Sequence, residues 1–166
     1  MSNHCVRFIL NGKTVALAVE ARQNLAEVIR EGAGLTGTHL GCEHGVCGAC
    51  TVLLEGQPIR SCLMFAVQAQ DASITTIEGI SPQGGLAELQ ESFRRHHALQ
   101  CGFCTPGMVL TLHELLARNP IASPAEIRDA ISGNLCRCTG YQPIVEAANA
   151  IARANEQRLV ASKKQD

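Results

Sequence analysis

Each half of this chain carries four thiols, and they limit its possible folds more than any other feature. Cys42, Cys47 and Cys50 share one glycine-rich loop, Gly41-Cys42-Glu43-His44-Gly45-Val46-Cys47-Gly48-Ala49-Cys50, and Cys62 follows after eleven intervening residues. Cys101 and Cys104 lie in Leu99-Gln100-Cys101-Gly102-Phe103-Cys104-Thr105-Pro106-Gly107, and Cys136 and Cys138 in Asn134-Leu135-Cys136-Arg137-Cys138-Thr139-Gly140-Tyr141. Eight of the nine cysteines therefore fall into two sets of four. Disulfides are rare in a reducing cytosol, and a secreted disulfide scaffold would be smaller and poorer in helix, so metal is the expected reason for the thiols. Cys5 stands apart and reads as a buried or incidental thiol at the head of a strand.

The first set has C-x4-C-x2-C spacing with a solitary fourth thiol, the plant-type pattern for a [2Fe-2S] centre. Thiolates are soft, charged ligands, and four of them serve two tetrahedral irons. Gly41, Gly45 and Gly48 allow the backbone to curl round such a cluster and aim N–H groups at sulfur. A four-cysteine zinc site is the alternative, but zinc favours short paired spacings at both ends. His44, with four thiols beside it, is expected to be an exposed loop residue. The second set, Cys101, Cys104, Cys136 and Cys138, is predicted just before two helices, whose N-terminal N–H groups suit an anionic cluster. Spacing alone leaves zinc open for this set.

Around the first set the pattern is mostly strand. Val6–Leu10 alternates, Asn11-Gly12 signals a type I′ hairpin, and Lys13–Val19 is the return strand. Asn24 and Glu27 mark a helix start, Leu25, Val28 and Ile29 its apolar face, and Gly32 its end. Gly32-Ala33-Gly34-Leu35-Thr36-Gly37 has the letters of a dinucleotide fingerprint but follows a helix, so it reads as a plain loop. Thr51–Leu54, a turn over Glu55-Gly56-Gln57-Pro58, and Ile59–Cys62 form a second hairpin, with a last strand at Ser73–Ile77. Beyond Ser81-Pro82-Gln83-Gly84-Gly85 the strands stop, which places a domain boundary there. Four helices follow: Leu86 to about His97, with Arg94, Arg95, His96 and His97 in its last turn; Pro106–Ala117 with Thr105 as N-cap; one capped by Ser123 and Glu126 and ending at Gly133; and one opened by Pro143, with Ile144, Ala147, Ala148 and Ile151 on one face. The expected fold class is α+β: a β-grasp plant-type ferredoxin domain (1–80), a four-helix [2Fe-2S] bundle domain (81–160) and a tail (161–166).

A net charge of −1 without a basic run argues against nucleic acid as a partner. No apolar stretch approaches the ~20 residues of a membrane span. The N-terminus lacks a signal pattern, so the cytoplasm is the expected location.

With these residues in view, the chain resembles the iron–sulfur subunit of the molybdenum hydroxylases, the xanthine dehydrogenase and aldehyde oxidase group. It is most similar to the separate small subunits of bacterial, carbon monoxide dehydrogenase-type members. Three strings carry the likeness: Gly-Cys-Glu-His-Gly-Val-Cys-Gly-Ala-Cys-Thr from Gly41, Gln-Cys-Gly-Phe-Cys-Thr-Pro-Gly from Gln100, and Gly-Asn-Leu-Cys-Arg-Cys-Thr-Gly-Tyr from Gly133. The resemblance implies two [2Fe-2S] clusters, held by Cys42, Cys47, Cys50 and Cys62 and by Cys101, Cys104, Cys136 and Cys138. It implies a large subunit with a molybdenum–pterin cofactor and a medium subunit with FAD, in a dimer of heterotrimers. Electrons would pass from molybdenum to the helical-domain cluster, the plant-type cluster and then flavin. It points to Gln100 and Cys138 as the residues nearest the pterin and to the 43–46 loop as facing the flavin, whereas Arg137 reads as a solvated charge or a donor to cluster sulfur. The expected role is an electron-transfer subunit of an oxidoreductase, with no substrate chemistry on this chain. The alternatives are a zinc-stapled interaction module and a freestanding ferredoxin. The latter would be strongly acidic, unlike this near-neutral chain with a mean hydropathy of +0.07.

Overall fold

A computed structural model describes residues 3–81 and 85–163. The expected boundary at Ser81–Gly85 falls partly on residues 82–84, and the expected tail partly on residues 164–166, both outside the described residues.

Strands β1 (Asn3–Leu10) and β2 (Lys13–Glu20) form the predicted hairpin, with Leu10 paired to Lys13. Asn11 and Gly12 both take positive φ, 52° and 77°, as a type I′ turn demands. Alternation along β1 buries Val6, Phe8 and Leu10 and turns Cys5 outward, so of the two readings of Cys5, buried or incidental thiol, the buried one is corrected. β3 (Thr51–Leu54), β4 (Gln57–Arg60) and β5 (Ser73–Thr75) complete a mixed five-stranded sheet in the order β2-β1-β5-β3-β4, with β1 and β5 parallel. The short helix α1 (Leu25–Glu27) runs into a π turn, Val28–Gly32. Its capping box is complete: Asn24 Oδ1 accepts from Glu27 N–H, and Glu27 Oε2 accepts from Asn24 N–H. Leu25, Val28 and Ile29 bury against Val6, Phe8, Val52 and Ile74, the core of this half.

The second hairpin differs from its expected bounds. Glu55 and Gly56 (φ 48° and 79°) make the whole turn, so Gln57 and Pro58 already belong to β4. Proline is tolerated there because β4 is an edge strand. β4 stops at Arg60, and Cys62 sits beyond it on a 3-10 turn, Ser61–Leu63. β5 ends at Thr75 instead of Ile77, which enters a further 3-10 turn.

The rest is helical: α2 (Glu88–Arg95), α3 (Thr105–Arg118), α4 (Pro124–Ala130) and α5 (Gln142–Ser162). α2 is shorter than predicted. His97 takes φ 51°, and the Ala98 and His97 amides bond back to the Phe93 and Arg94 carbonyls, a Schellman end that leaves both histidines past the helix. α3 begins one residue early. Cys104 holds the N-cap position and Thr105 is already helical, its hydroxyl buried without a partner, so Thr105 is not the cap. Ser123 caps α4 as expected, and a 3-10 turn carries the chain on to Gly133. α5 packs on α2 and α4, and α3 touches α2, α4 and both strands of the second hairpin. Phe93, Met108, Leu112, Ile127, Ile131 and Ile144 centre the second core. Among the described residues no helix is long and apolar enough to cross a membrane.

Candidate metal centres

Folding brings the eight cysteines into two sets, and each set divides into two pairs. In the first, Cys47 donates its N–H to Cys42 Sγ at 3.3 Å, and Cys62 contacts the Cys50 thiol. In the second, Cys138 Sγ lies 3.5 Å from Cys101 Sγ, and Cys104 contacts the Cys136 thiol. All eight are free thiols. Among the described residues no three His, Cys, Asp or Glu groups converge on one ion. Two pairs per set is instead the arrangement two irons need when each takes two protein thiolates, so the donor sets fit a two-iron cluster apiece.

Local structure primes these thiols unequally. Backbone N–H groups, first of Cys47 and then of His44, hold the Cys42 thiol down at about 6. Burial, reinforced by the Cys50 thiol, pushes Cys62 up to about 11, partly offset by the N–H of Gly45. Burial and then the Cys136 thiol push Cys104 up to about 12. Cys101 is lowered by the Phe103 N–H and by accepting from Cys138, which is raised in turn as the donor. Burial works to raise Cys136, but the Thr139 hydroxyl, 3.1 Å away, and the Thr139 N–H outweigh it, so its thiol is lowered.

The two sets also differ in exposure. Cys50 and Cys62 are buried, whereas Cys101 and Cys138 form an exposed edge. At that edge Gln100 Nε2 donates to the Cys138 carbonyl at 3.1 Å, joining the two residues singled out from the sequence. Arg137 and His44 are both exposed, and the His44 ring sits 2.5 Å from the Cys42 carbonyl. The glycine-rich 32–37 segment is a loop held by its own chain. Arg30 donates to the Thr36 and Thr38 carbonyls, and Gly37 N–H donates to Glu78.

Sequence reasoning missed the junction between the two sets. Leu135 N–H donates to the Cys47 carbonyl at 2.8 Å. The adjacent Asn134 side chain, 1% exposed, donates from Nδ2 to the Gly48 carbonyl at 3.1 Å and accepts from Thr111 Oγ1 at 3.2 Å. Arg60 spans the same seam, donating to the Gly133 carbonyl and to Thr51 Oγ1, both at 2.6 Å. A Cβ on Gly48 would meet the Gly133 carbonyl at 2.5 Å, so this glycine serves close approach of the second half as well as curvature of the loop. A second tie is the Phe103 ring stacked on His39, centroids 4.9 Å apart. Tyr141 closes the Cys136 loop from below: its hydroxyl accepts from the Cys136 N–H at 2.8 Å and donates to the Asn134 carbonyl at 3.2 Å.

Comparison with known proteins agrees with this geometry. Residues 8–74 match the family described as 2Fe-2S iron-sulfur cluster binding domain, and residues 76–149 the [2Fe-2S] binding domain. The gamma subunit of caffeine dehydrogenase from a Pseudomonas strain is 49% identical over 159 residues, covering 94% of this chain and 95% of that one. The small subunit of nicotine 6-hydroxylase from Paenarthrobacter nicotinovorans is 56% identical over 138 residues, 83% of either chain. The crystal structure of quinoline 2-oxidoreductase from Pseudomonas putida 86 contains a chain of similar fold, with a TM-score of 0.90 and 53% identity over 93% of this chain and 97% of that one.

Proposed function

Since this chain belongs to the iron–sulfur small subunits of the molybdenum hydroxylases, we propose that its paired thiols hold two [2Fe-2S] clusters and that it carries electrons from a molybdenum–pterin subunit to FAD or another acceptor. It is an electron-transfer subunit of an oxidoreductase and performs no substrate chemistry itself. The observation that carries the reading is the division of each thiol set into two contacting pairs.

Cys42 and Cys47 would hold one iron of the first cluster and Cys50 and Cys62 the other, within a β-grasp ferredoxin domain spanning 1–80. Cys101 and Cys138 would hold one iron of the second, and Cys104 and Cys136 the other, within a four-helix bundle domain spanning 81–160. Each cluster, when bound, takes up and releases one electron. The N–H groups of Cys47 and Gly45 stabilise negative charge on the Cys42 and Cys62 sulfurs. Burial of Cys50 and Cys62 excludes water from one side of the first set. The exposed Cys101–Cys138 edge, braced by Gln100, is the side on which we place the pterin, and the 43–46 loop is the side on which we place the flavin subunit. The inferred setting is a cytoplasmic dimer of heterotrimers. Relatives at 49–56% identity are named for caffeine, nicotine and 6-hydroxypseudooxynicotine, which supports an N-heterocyclic substrate on the large subunit.

Low-temperature EPR of the anaerobically reduced protein tests the proposal, with iron and acid-labile sulfide assayed on the same sample. Two distinguishable paramagnetic signals with about four irons and four sulfides per chain are expected. An EPR-silent, zinc-containing protein from native cells would overturn the reading in favour of a zinc-stapled module. Two clusters in a chain that purifies without a molybdenum subunit would favour a freestanding ferredoxin.

A further inference from the structure

The seam between the thiol sets contains a short main-chain bridge. Cys47 is a member of the first set, and its carbonyl accepts from Leu135 N–H at 2.8 Å. Leu135 is bonded directly to Cys136 of the second set. Covalent bonds and this one hydrogen bond thus run unbroken from the Cys47 sulfur to the Cys136 sulfur. Neither backbone group is fixed by regular secondary structure, because one lies in the 41–50 loop and the other follows the 3-10 turn that ends at Gly133. Something else must hold them in register.

We infer that Asn134 is the positioning residue that holds this bridge and thereby fixes the geometry between the two clusters. The inference rests on, and deepens, the two-cluster reading above. The Asn134 amide is suited to the task because its bonds point both ways. Nδ2 donates to the Gly48 carbonyl, one residue beyond Cys47, while Oδ1 accepts from Thr111 on α3. One rigid planar group therefore ties the first cluster loop to the central helix of the second half. Its own backbone carbonyl is held by Tyr141, so the residue is restrained on both main chain and side chain. At 1% exposure no water competes for these bonds. Aspartate at this position keeps shape and the acceptor for Thr111 but loses the donor, and sets a carboxylate against the Gly48 carbonyl.

The test uses Asn134→Asp in the complete complex, compared with wild type. Two readouts are taken: hydrogen–deuterium exchange at the Leu135 amide, and the magnetic interaction between the two reduced clusters by EPR. Exchange at Leu135 is expected to accelerate about tenfold, as for loss of one supported hydrogen bond. The magnetic interaction is expected to weaken, with about four irons per chain retained. Unchanged exchange and unchanged interaction in an iron-replete variant would overturn the inference. A variant that loses iron is replaced by a measurement needing no substitution. In the wild-type complex, Leu135 exchanging as fast as a solvent-exposed amide overturns the proposal, and strong protection of Leu135 upholds it. Failure of the two-cluster reading is seen separately, as absent EPR signals in the wild type.

Discussion

Gly48 and Gly56 have nearly the same backbone conformation, φ 73° and 79°, in different surroundings, which makes their alanine variants a controlled pair. At Gly56 an added Cβ meets nothing within 4 Å. Gly56→Ala therefore bears only the left-handed penalty, about 1–2 kcal/mol, reduced by about 0.4–1 kcal/mol from the lower entropy of the unfolded chain. At Gly48 the same two contributions apply and cancel in the difference. The new methyl, however, would stand 2.5 Å from the Gly133 carbonyl and 2.8 Å from Asn134 Nδ2. Asn134 is buried and the Gly133 carbonyl is held by Arg60, so neither can step aside and the seam must open. Opening it sacrifices the Asn134–Gly48 and Leu135–Cys47 hydrogen bonds, roughly 1 kcal/mol each, and strands a buried amide at about 1 kcal/mol more. Gly48→Ala should thus lose about 3 kcal/mol more than Gly56→Ala. For a chain of this size that is a further fall in melting temperature of roughly 6–12 °C, measurable by circular dichroism on the iron-replete protein. Equal melting temperatures for the two variants would refute the reasoning, because they would show that the seam is not close-packed in solution.

Three further outcomes follow from the site. Gln100→Ala should leave both EPR signals intact but slow turnover of the complex, since it removes only an exposed brace on the Cys138 carbonyl; an unchanged rate would count against a role at the pterin edge. In iron-free protein at pH 7, Cys42, lowered to about 6, is mainly thiolate, whereas Cys62 and Cys104, raised to about 11 and 12, stay protonated; iodoacetamide should mark Cys42 well ahead of both by mass spectrometry, and lose that preference as pH falls below 6. Tyr141→Phe removes one hydroxyl that serves both Cys136 N–H and Asn134 C=O, costing about 1–3 kcal/mol, with the second cluster lost from the variant before the first on mild chelation.

What was legible in the sequence was whatever depends on residues near one another in the chain. The Asn11-Gly12 turn, the Asn24 and Ser123 caps and the prolines opening α3 and α5 are local chemistry, and the structure has them all. Cysteine spacing marked the Cys42–Cys50 loop and the two short pairs, Cys101/Cys104 and Cys136/Cys138, for the same reason, whereas the meeting of those two pairs is a product of the fold. Element ends were less readable because they are set by geometry that several residue types can satisfy. His97 occupies a left-handed position usually held by glycine, so nothing in its letter stopped the predicted helix. The seam was invisible: Asn134, Arg60 and Gly48 meet only after two domains fold against each other, and an asparagine before Leu135 resembles any loop residue until Thr111 and Gly48 arrive beside it.

The pairing of thiols also has a consequence for the order in which the protein is built. Three thiols of the first set share one short loop, so on the reading proposed above an iron centre would be started there on a nascent chain with little left to organise. The second set is different, because both of its pairs join the Cys101–Cys104 turn to the Cys136–Cys138 loop, and the Cys101–Cys138 pair closes a span of 37 residues. Metal in that set would be a cross-link between distant segments. By analogy with a disulfide over a similar span, it would restrain the unfolded chain by about 3–4 kcal/mol. Loading of the first set would therefore need little of the fold, whereas loading of the second would be coupled to docking of the helices between its two segments.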